Sequence, residues 1–311
     1  MLAQVFTVTG PIFMMVLVGI LLKRFQWIDD AFIATASSLT FRVTLPALLF
    51  LSIYRADLDH AFRPALAGFF CLASLLCFAG AWAWSIWRVP FEQRGLFVQG
   101  AFRGNCGIVG LALAANQYGD FGLASGGVLS GVAVILFNIL SVIVLSIYSG
   151  QARPSLLQLL SRVLRNPLIL GVLTGLLASY LRLPLPEWLL VSGNYLAAIA
   201  LPVALICIGG ALSFRSLADS GLTALASSLI KVVFYPFLFT WLAWLVGFEG
   251  PELGILFLFL ASPTAAASYV MARAAGSDGK LAANIIALTT ILSLVTITGG
   301  VYGLQRLGLA G

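Results

Sequence analysis

The sequence predicts an all-α integral membrane protein of ten transmembrane helices, built as two inverted five-helix repeats with the fourth and ninth helices broken. Three observations predict it. The 311 residues are 61% hydrophobic and 9% charged, where an average soluble domain has roughly a quarter of its residues charged. Long apolar stretches recur along the whole chain, each close to the ~20 residues needed to cross a hydrocarbon layer at about 1.5 Å per residue. The two halves also match each other under a nearly constant shift.

Hydropathy places the spans at 5–22, 32–54, 65–87, 95–118, 122–148, 167–182, 190–213, 220–246, 252–275 and 281–305. Lys23 and Arg24 follow the first apolar run instead of preceding it, which reads as a retained helix and not a cleaved signal. Cys71, Cys77, Cys106 and Cys207 all fall inside apolar segments without metal-ligand spacing, so neither a disulfide framework nor a metal site is expected. The net charge of +6 is spread over short loops and forms no basic face for nucleic acid. It reads instead as topology. Lys23, Arg24, Arg88, Arg94, Arg153, Arg162, Arg165, Arg215, Arg273 and Lys280 fall on one side, and Arg55, Arg63, Arg182 and Arg306 on the other. Basic residues stay cytoplasmic during insertion, so ten against four puts both termini outside a bacterial inner membrane or plasma membrane.

A linker over 151–166 separates the repeat at 1–150 from that at 167–311. A shift of 156 superimposes Pro11 on Pro167, Gly19 on Gly175, and Leu45-Pro46 on Leu201-Pro202 without a gap; a shift of 158 matches Asp120 to Asp278 and Leu123 to Leu281. Five crossings per repeat is an odd number. The second copy must therefore enter from the opposite side, which supplies two conformations of similar energy, one open to each face.

Both repeats carry a break at the middle of their fourth span. Gly104 and Gly107 interrupt the first, around Arg103-Gly-Asn105-Cys106, and Pro263 interrupts the second, around Ser262-Pro-Thr264. Ser262 before Pro263 reads as an N-cap with proline at the first helical position, and Asn105 as a second N-cap. Each break then opens a half-helix whose free amides and positive dipole end face the bilayer midplane, where a carboxylate can accept them. A plain packing kink is the competing reading.

Charge within the spans points the same way. Arg42, Arg103 and Lys231 are basic, and none of the eleven acids sits deep in a span; a buried cation costs on the order of 2.5–3.5 kcal/mol and needs a partner, a watery cavity or a route to the interface. Asp120 and Asp278 sit at turns and read as N-caps of the fifth and tenth helices. Asn138 and Thr296 match under the 158 shift and serve either a substrate or ion site or bonds between helices. Gly122, Gly126, Gly127 and Gly131 give the fifth helix a close-packing face. No phosphate loop, intramembrane carboxylate pair or nucleophile with a base is present, and His60, the single histidine, lies in a loop. Enzymatic function and cofactors are not expected.

The stretches Leu45-Pro-Ala-Leu-Leu-Phe50, Arg103-Gly-Asn-Cys-Gly-Ile-Val-Gly-Leu111, Phe137-Asn-Ile-Leu140, Arg165-Asn-Pro167, Lys231 with Pro236, and the run from Ser262-Pro-Thr-Ala265 to Leu288-Thr-Thr290 together resemble the auxin efflux carrier family. The resemblance implies a scaffold and a transport domain, crossed fourth and ninth helices, and frequently a homodimer. It implies substrate contacts at the helix-four crossover (Asn105, Cys106, Gly107), at the Phe137-Asn138 pair, and at the helix-nine crossover (Ser262, Pro263, Thr264). The chain departs from plant members in having glycines where they carry proline in helix four, Ser262 and Thr264 beside the helix-nine turn, and no long cytoplasmic loop. The broken-helix plan also resembles sodium-coupled bile-acid-type symporters, whose acidic ion ligands have no counterpart here.

The expected function is alternating-access transport of a small organic anion in the lipid bilayer, a malonate-like dicarboxylate or an auxin-like acid, with Arg103, Lys231 and Arg42 supplying positive potential. Coupling to protons or sodium stays open. The alternatives are a non-transporting sensor of the same fold, a bile-acid-type symporter, and a membrane enzyme acting on lipid-linked substrates.

Overall fold

The computed structural model describes residues 2–55, 63–148, 165, 167–211, 221–277 and 279–310. Among them no strand forms; the chain runs through α1 (Leu2–Arg24), α2 (Asp30–Arg55), α3 (Pro64–Arg88), α4 (Phe91–Phe102), α5 (Cys106–Tyr148), α6 (Pro167–Tyr180), α7 (Glu187–Ala211), α8 (Leu222–Leu245), α9 (Gly250–Ala261), α10 (Ala267–Ala274) and α11 (Lys280–Arg306). Six of these, α2, α3, α5, α7, α8 and α11, are long and apolar enough to cross a membrane, while α6 and α9 are apolar but shorter. The predicted fourth span is split into α4 and the start of α5, and the ninth into α9 and α10. The predicted joint between the fourth and fifth spans falls at Gly119, whose φ of 54° and ψ of −137° break α5 into two helices at a backbone conformation that favours glycine. His60, Arg153, Pro154, Arg162, Asn166, Arg215, Asp278 and most of the 151–166 linker lie outside the described residues.

Local chemistry sets several helix ends. Asp29 Oδ1 accepts the Phe32 amide at 2.7 Å and opens α2, an N-cap worth on the order of 1 kcal/mol. Arg94 donates to the carbonyls of Val89 and Ile86, at 3.0 and 2.8 Å, and so closes α3. Two prolines shape helix interiors. A proline has no N–H, and its ring crowds the carbonyl four residues back. Both Pro46 and Pro236 are preceded by a wider π turn, Thr40–Thr44 and Ile230–Phe234, closed by Leu45 N–H to the Thr40 carbonyl and Tyr235 N–H to the Ile230 carbonyl. The turn absorbs the misfit.

Helix packing divides the described chain into two groups. In the first, α1 lies along α7, and α2 lies along α6 and α7. Side chains there are small enough for backbones to touch. A Cβ at Gly19 would strike the Ile206 carbonyl, one at Gly209 the Val16 carbonyl, and one at Gly175 the Phe50 carbonyl at 2.9 Å. That is how membrane helices gain contact where apolar burial drives nothing. In the second group α3, α4, α5, α8, α9 and α11 surround a core rich in Phe70, Phe97, Phe257 and Phe259. The small face of α5 works as the sequence predicts: Gly126 admits Leu111 and Phe259, Gly127 admits Leu49, and Gly131 admits Val172. This face joins α5 to α2 and α6 of the first group.

Gly209→Ala is expected to destabilise the protein by about 1–3 kcal/mol through overpacking, read as a lower thermal midpoint in detergent. Gly299→Ala, with nothing within 4 Å of its Cβ, should be neutral or slightly stabilising.

Candidate functional site

The two broken segments cross. Gly104 and Thr264 form an antiparallel bridge, with the Asn105 amide donating to the Pro263 carbonyl at 2.7 Å and the Ala265 amide to the Arg103 carbonyl at 3.1 Å. Unwound backbone at this depth is tolerated only where another polar group satisfies it, and here each break satisfies the other. Gly104 permits the approach: a Cβ there would stand 2.6 Å from Ser262 Oγ and 3.2 Å from Lys231 Nζ. Gly107 has no such role, its nearest neighbour being Leu168 at 3.8 Å.

Side chains close the two helix ends that point their carbonyls at the crossing. Thr264 Oγ1 donates to the Gly100 carbonyl of α4 at 2.8 Å, and Lys231 Nζ donates to the Leu260 carbonyl of α9 at 2.5 Å. Ser262 Oγ donates to the Phe259 carbonyl at 2.7 Å, and Cys106 Sγ reaches the same oxygen at 3.3 Å. Ser262 thus caps the end of α9. The sequence expectation that it opens the next half-helix, with Pro263 in the first turn, is corrected: α10 begins at Ala267, because the bridge holds residues 263–265 extended. Asn105 stands at the N-cap position of α5, but its side chain makes no capping bond; its carbonyl instead accepts from the amides of Val109 and Gly110 at 2.9 and 3.3 Å. The Asn105 side chain is half-buried.

Among the described residues, Arg103 and Lys231 are buried cations, 7% and 3% exposed. Arg103 donates through Nη2 to Asn138 Oδ1 at 2.9 Å and through Nη1 to Ser141 Oγ at 3.0 Å, with the Phe137 carbonyl at 3.3 Å. Asn138 is therefore an interhelical partner of Arg103. Phe137 packs its ring on Phe70 and Phe102 and lies buried. Lys231 owes its aim to the π turn before Pro236, which carries it to the negative end of α9. Arg42, in the other π turn, is exposed and does not join them. The described ion pairs, Lys23–Asp30 at 2.8 Å and Arg63–Glu252 at 3.2 Å, both lie away from the crossing, and none of the described acids is buried. Asp120 is exposed at the Gly119 turn. The interior of the described chain is thus positive.

Thr289, Thr290 and Ser293 bond to carbonyls of their own helix at 2.7–2.8 Å, and Thr289 also accepts the Thr264 amide at 3.0 Å. This strut between crossing and α11 is not readable from spacing. A cavity of about 650 Å³ opens on the side where α3 ends, lined by Glu92, Leu96, Tyr148, Thr223, Lys280 and Asn284 among others. Two residues that sequence reasoning passed over, Gln99 and Met271, join Arg103: Met271 Sδ lies within hydrogen-bond reach of both Arg103 Nη1 and Gln99 Nε2. The available signal was a glutamine four residues before Arg103 on one helix face.

Arg103→Lys is expected to lower stability by about 1–3 kcal/mol, since an ammonium cannot reproduce the guanidinium fork; Arg42→Ala should stay within about 0.5 kcal/mol. Thermal unfolding in detergent reads both.

A family model described as membrane transport protein matches residues 4–300. An uncharacterized transporter of Methanothermobacter thermautotrophicus is 26% identical over 289 residues, which cover 92% of this chain and 94% of that protein. Another, from Methanocaldococcus jannaschii, is 24% identical over 293 residues with the same coverage. With its apolar helices, this makes the chain a multi-pass membrane protein and a transporter, not an enzyme. The chain belongs to the membrane transport protein family, the auxin efflux carriers whose motifs it carries.

Proposed function

We propose that the chain carries a small organic anion, a carboxylate, across the membrane by alternating access at the crossing of its broken helices. One observation carries the reading: at the crossing the carbonyl ends of α4 and α9 are closed by Thr264, Lys231 and Ser262, while the amide end of α5 starts beside two buried cations and, among the described residues, no acid is buried. Such a site favours negative charge through both dipole and cation. A sodium or proton symporter with acidic ligands would want the reverse, and among the described residues no acid is buried to serve as such a ligand.

Alternating access needs two exchangeable halves, and helix packing supports them. Gly19 meets the carbonyl of Ile206, and Gly175 meets that of Phe50. Gly175 and Ile206 lie 156 residues beyond Gly19 and Phe50, so the two contacts exchange under the same shift that matches the sequences. Five crossings per repeat, ten in all, with inverted copies and both termini outside, fit this pairing. The basic loops then make the vestibule beside Glu92 and Lys280 the cytoplasmic mouth, of a size suited to a small acid.

The test is uptake into proteoliposomes of labelled mono- and dicarboxylates, with counterflow to separate a carrier from a sensor that binds without flux. Asn105→Ala is expected to cut saturable uptake about tenfold or more, with an unchanged thermal midpoint because its side chain makes no capping bond. Wild-type uptake by this variant would remove Asn105 from the site.

A further inference from the structure

The vestibule stops short of the crossing, and the elements that line it identify what stops it. Leu96 and Gly95 of α4, Leu145 of α5 and Ala275 after α10 face the cavity. One turn deeper, about 5.4 Å, the same elements carry Gln99, Ser141 and Met271. These meet Arg103. Met271 Sδ lies 3.0 Å from Arg103 Nη1 and 3.7 Å from Gln99 Nε2, so a single thioether occupies donors of both side chains.

That is a poor match of donor to acceptor. A thioether sulfur accepts hydrogen bonds weakly, whereas a guanidinium and an amide ordinarily take oxygen. The mismatch extends further: Arg103 Nε and Gln99 Oε1 are buried without a hydrogen-bond partner among the described residues, although Gln99 is 1% exposed and Arg103 7%. Leaving buried polar atoms unmatched costs on the order of 1–3 kcal/mol each. Ser141 and Asn138 meanwhile hold the guanidinium in place, so Arg103 is oriented before any ligand arrives.

We propose that Met271 is a displaceable gate between vestibule and crossing, its thioether standing in for a substrate carboxylate on the donors of Arg103 and Gln99. The inference rests on the carboxylate reading given above and adds two residues to it. Methionine suits the role because its unbranched chain re-packs through several rotatable bonds. When it swings aside, a carboxylate oxygen takes Arg103 Nη1 and Gln99 Nε2 together, replacing a weak acceptor by a charged one. The gate therefore opens only against a gain that an anion supplies. Gln99 becomes a positioning and selectivity residue one turn outside the crossing, and Met271 sets the affinity by competing for its donors.

Isothermal titration of the full chain in detergent with malonate, succinate and indole-3-acetate tests this. For any acid that binds wild type, Met271→Ala is expected to lower Kd about threefold to tenfold, and Gln99→Leu to raise it about tenfold or more. A second measurement does not depend on the Gln99 variant folding: Met271→Cys, labelled with a membrane-impermeant anionic thiosulfonate and compared with the wild-type cysteine background, should react from the vestibule side and be protected by the bound acid. Wild-type binding with unchanged Kd in Met271→Ala and Gln99→Leu, or labelling that saturating acid does not slow, overturns the gate alone. If wild type binds none of the three acids, the carboxylate reading and the gate fall together.

Discussion

A helix broken inside an apolar medium leaves carbonyls and amides with no water to take them, each costing several kcal/mol if nothing else does. Everything else at the candidate site follows from how this chain meets that requirement. The two breaks lie against each other, so Asn105 and Ala265 amides find the carbonyls of Pro263 and Arg103. Gly104 is the residue that lets them approach. With the extended segments pinned in this way, the four half-helices have fixed ends, and the side chains nearest those ends have fixed partners. Thr264 can then close α4 from the other broken segment, and Lys231 of α8 can close α9.

The cations are consequences of the same arrangement. A lysine buried at a helix carbonyl end is held by the dipole and by one strong acceptor; Lys231 takes that place from within the π turn before Pro236. Arg103, the first residue after α4, projects the other way, to Asn138 and Ser141 of α5. Since no described acid is buried, the interior of the described chain carries net positive charge. The glycine seams between α1 and α7 and between α2 and α6 build a separate, tightly packed group, against which the group carrying the crossing is set.

Much of this arrangement is legible along the chain. Apolar length located the helices to within a few residues, because hydrocarbon thickness is a one-dimensional constraint. Gly104 and Pro263 marked both breaks, since backbone disruption is a property of the residue type. Arg103 and Lys231 stood out because charge in a span is rare, and the small residues of α5 announced close packing. These signals are local, or periodic along one helix.

Tertiary structure alone decided the partners. Whether Ser262 closes one half-helix or opens the next depends on the extended bridge that Thr264 makes with Gly104, a pairing across the fold that no local propensity encodes. That Asn138 bonds between helix segments is visible only where Arg103 lies against it. Arg42, Arg103 and Lys231 looked alike in sequence, yet one faces outward and two face in, because helix rotation is fixed by neighbours. Met271 and Gln99 carried almost no signal: a methionine in an apolar run is unremarked until its sulfur is seen facing a guanidinium. Spacing along a chain fixes which groups share a helix face, but only packing between helices brings donor and acceptor together.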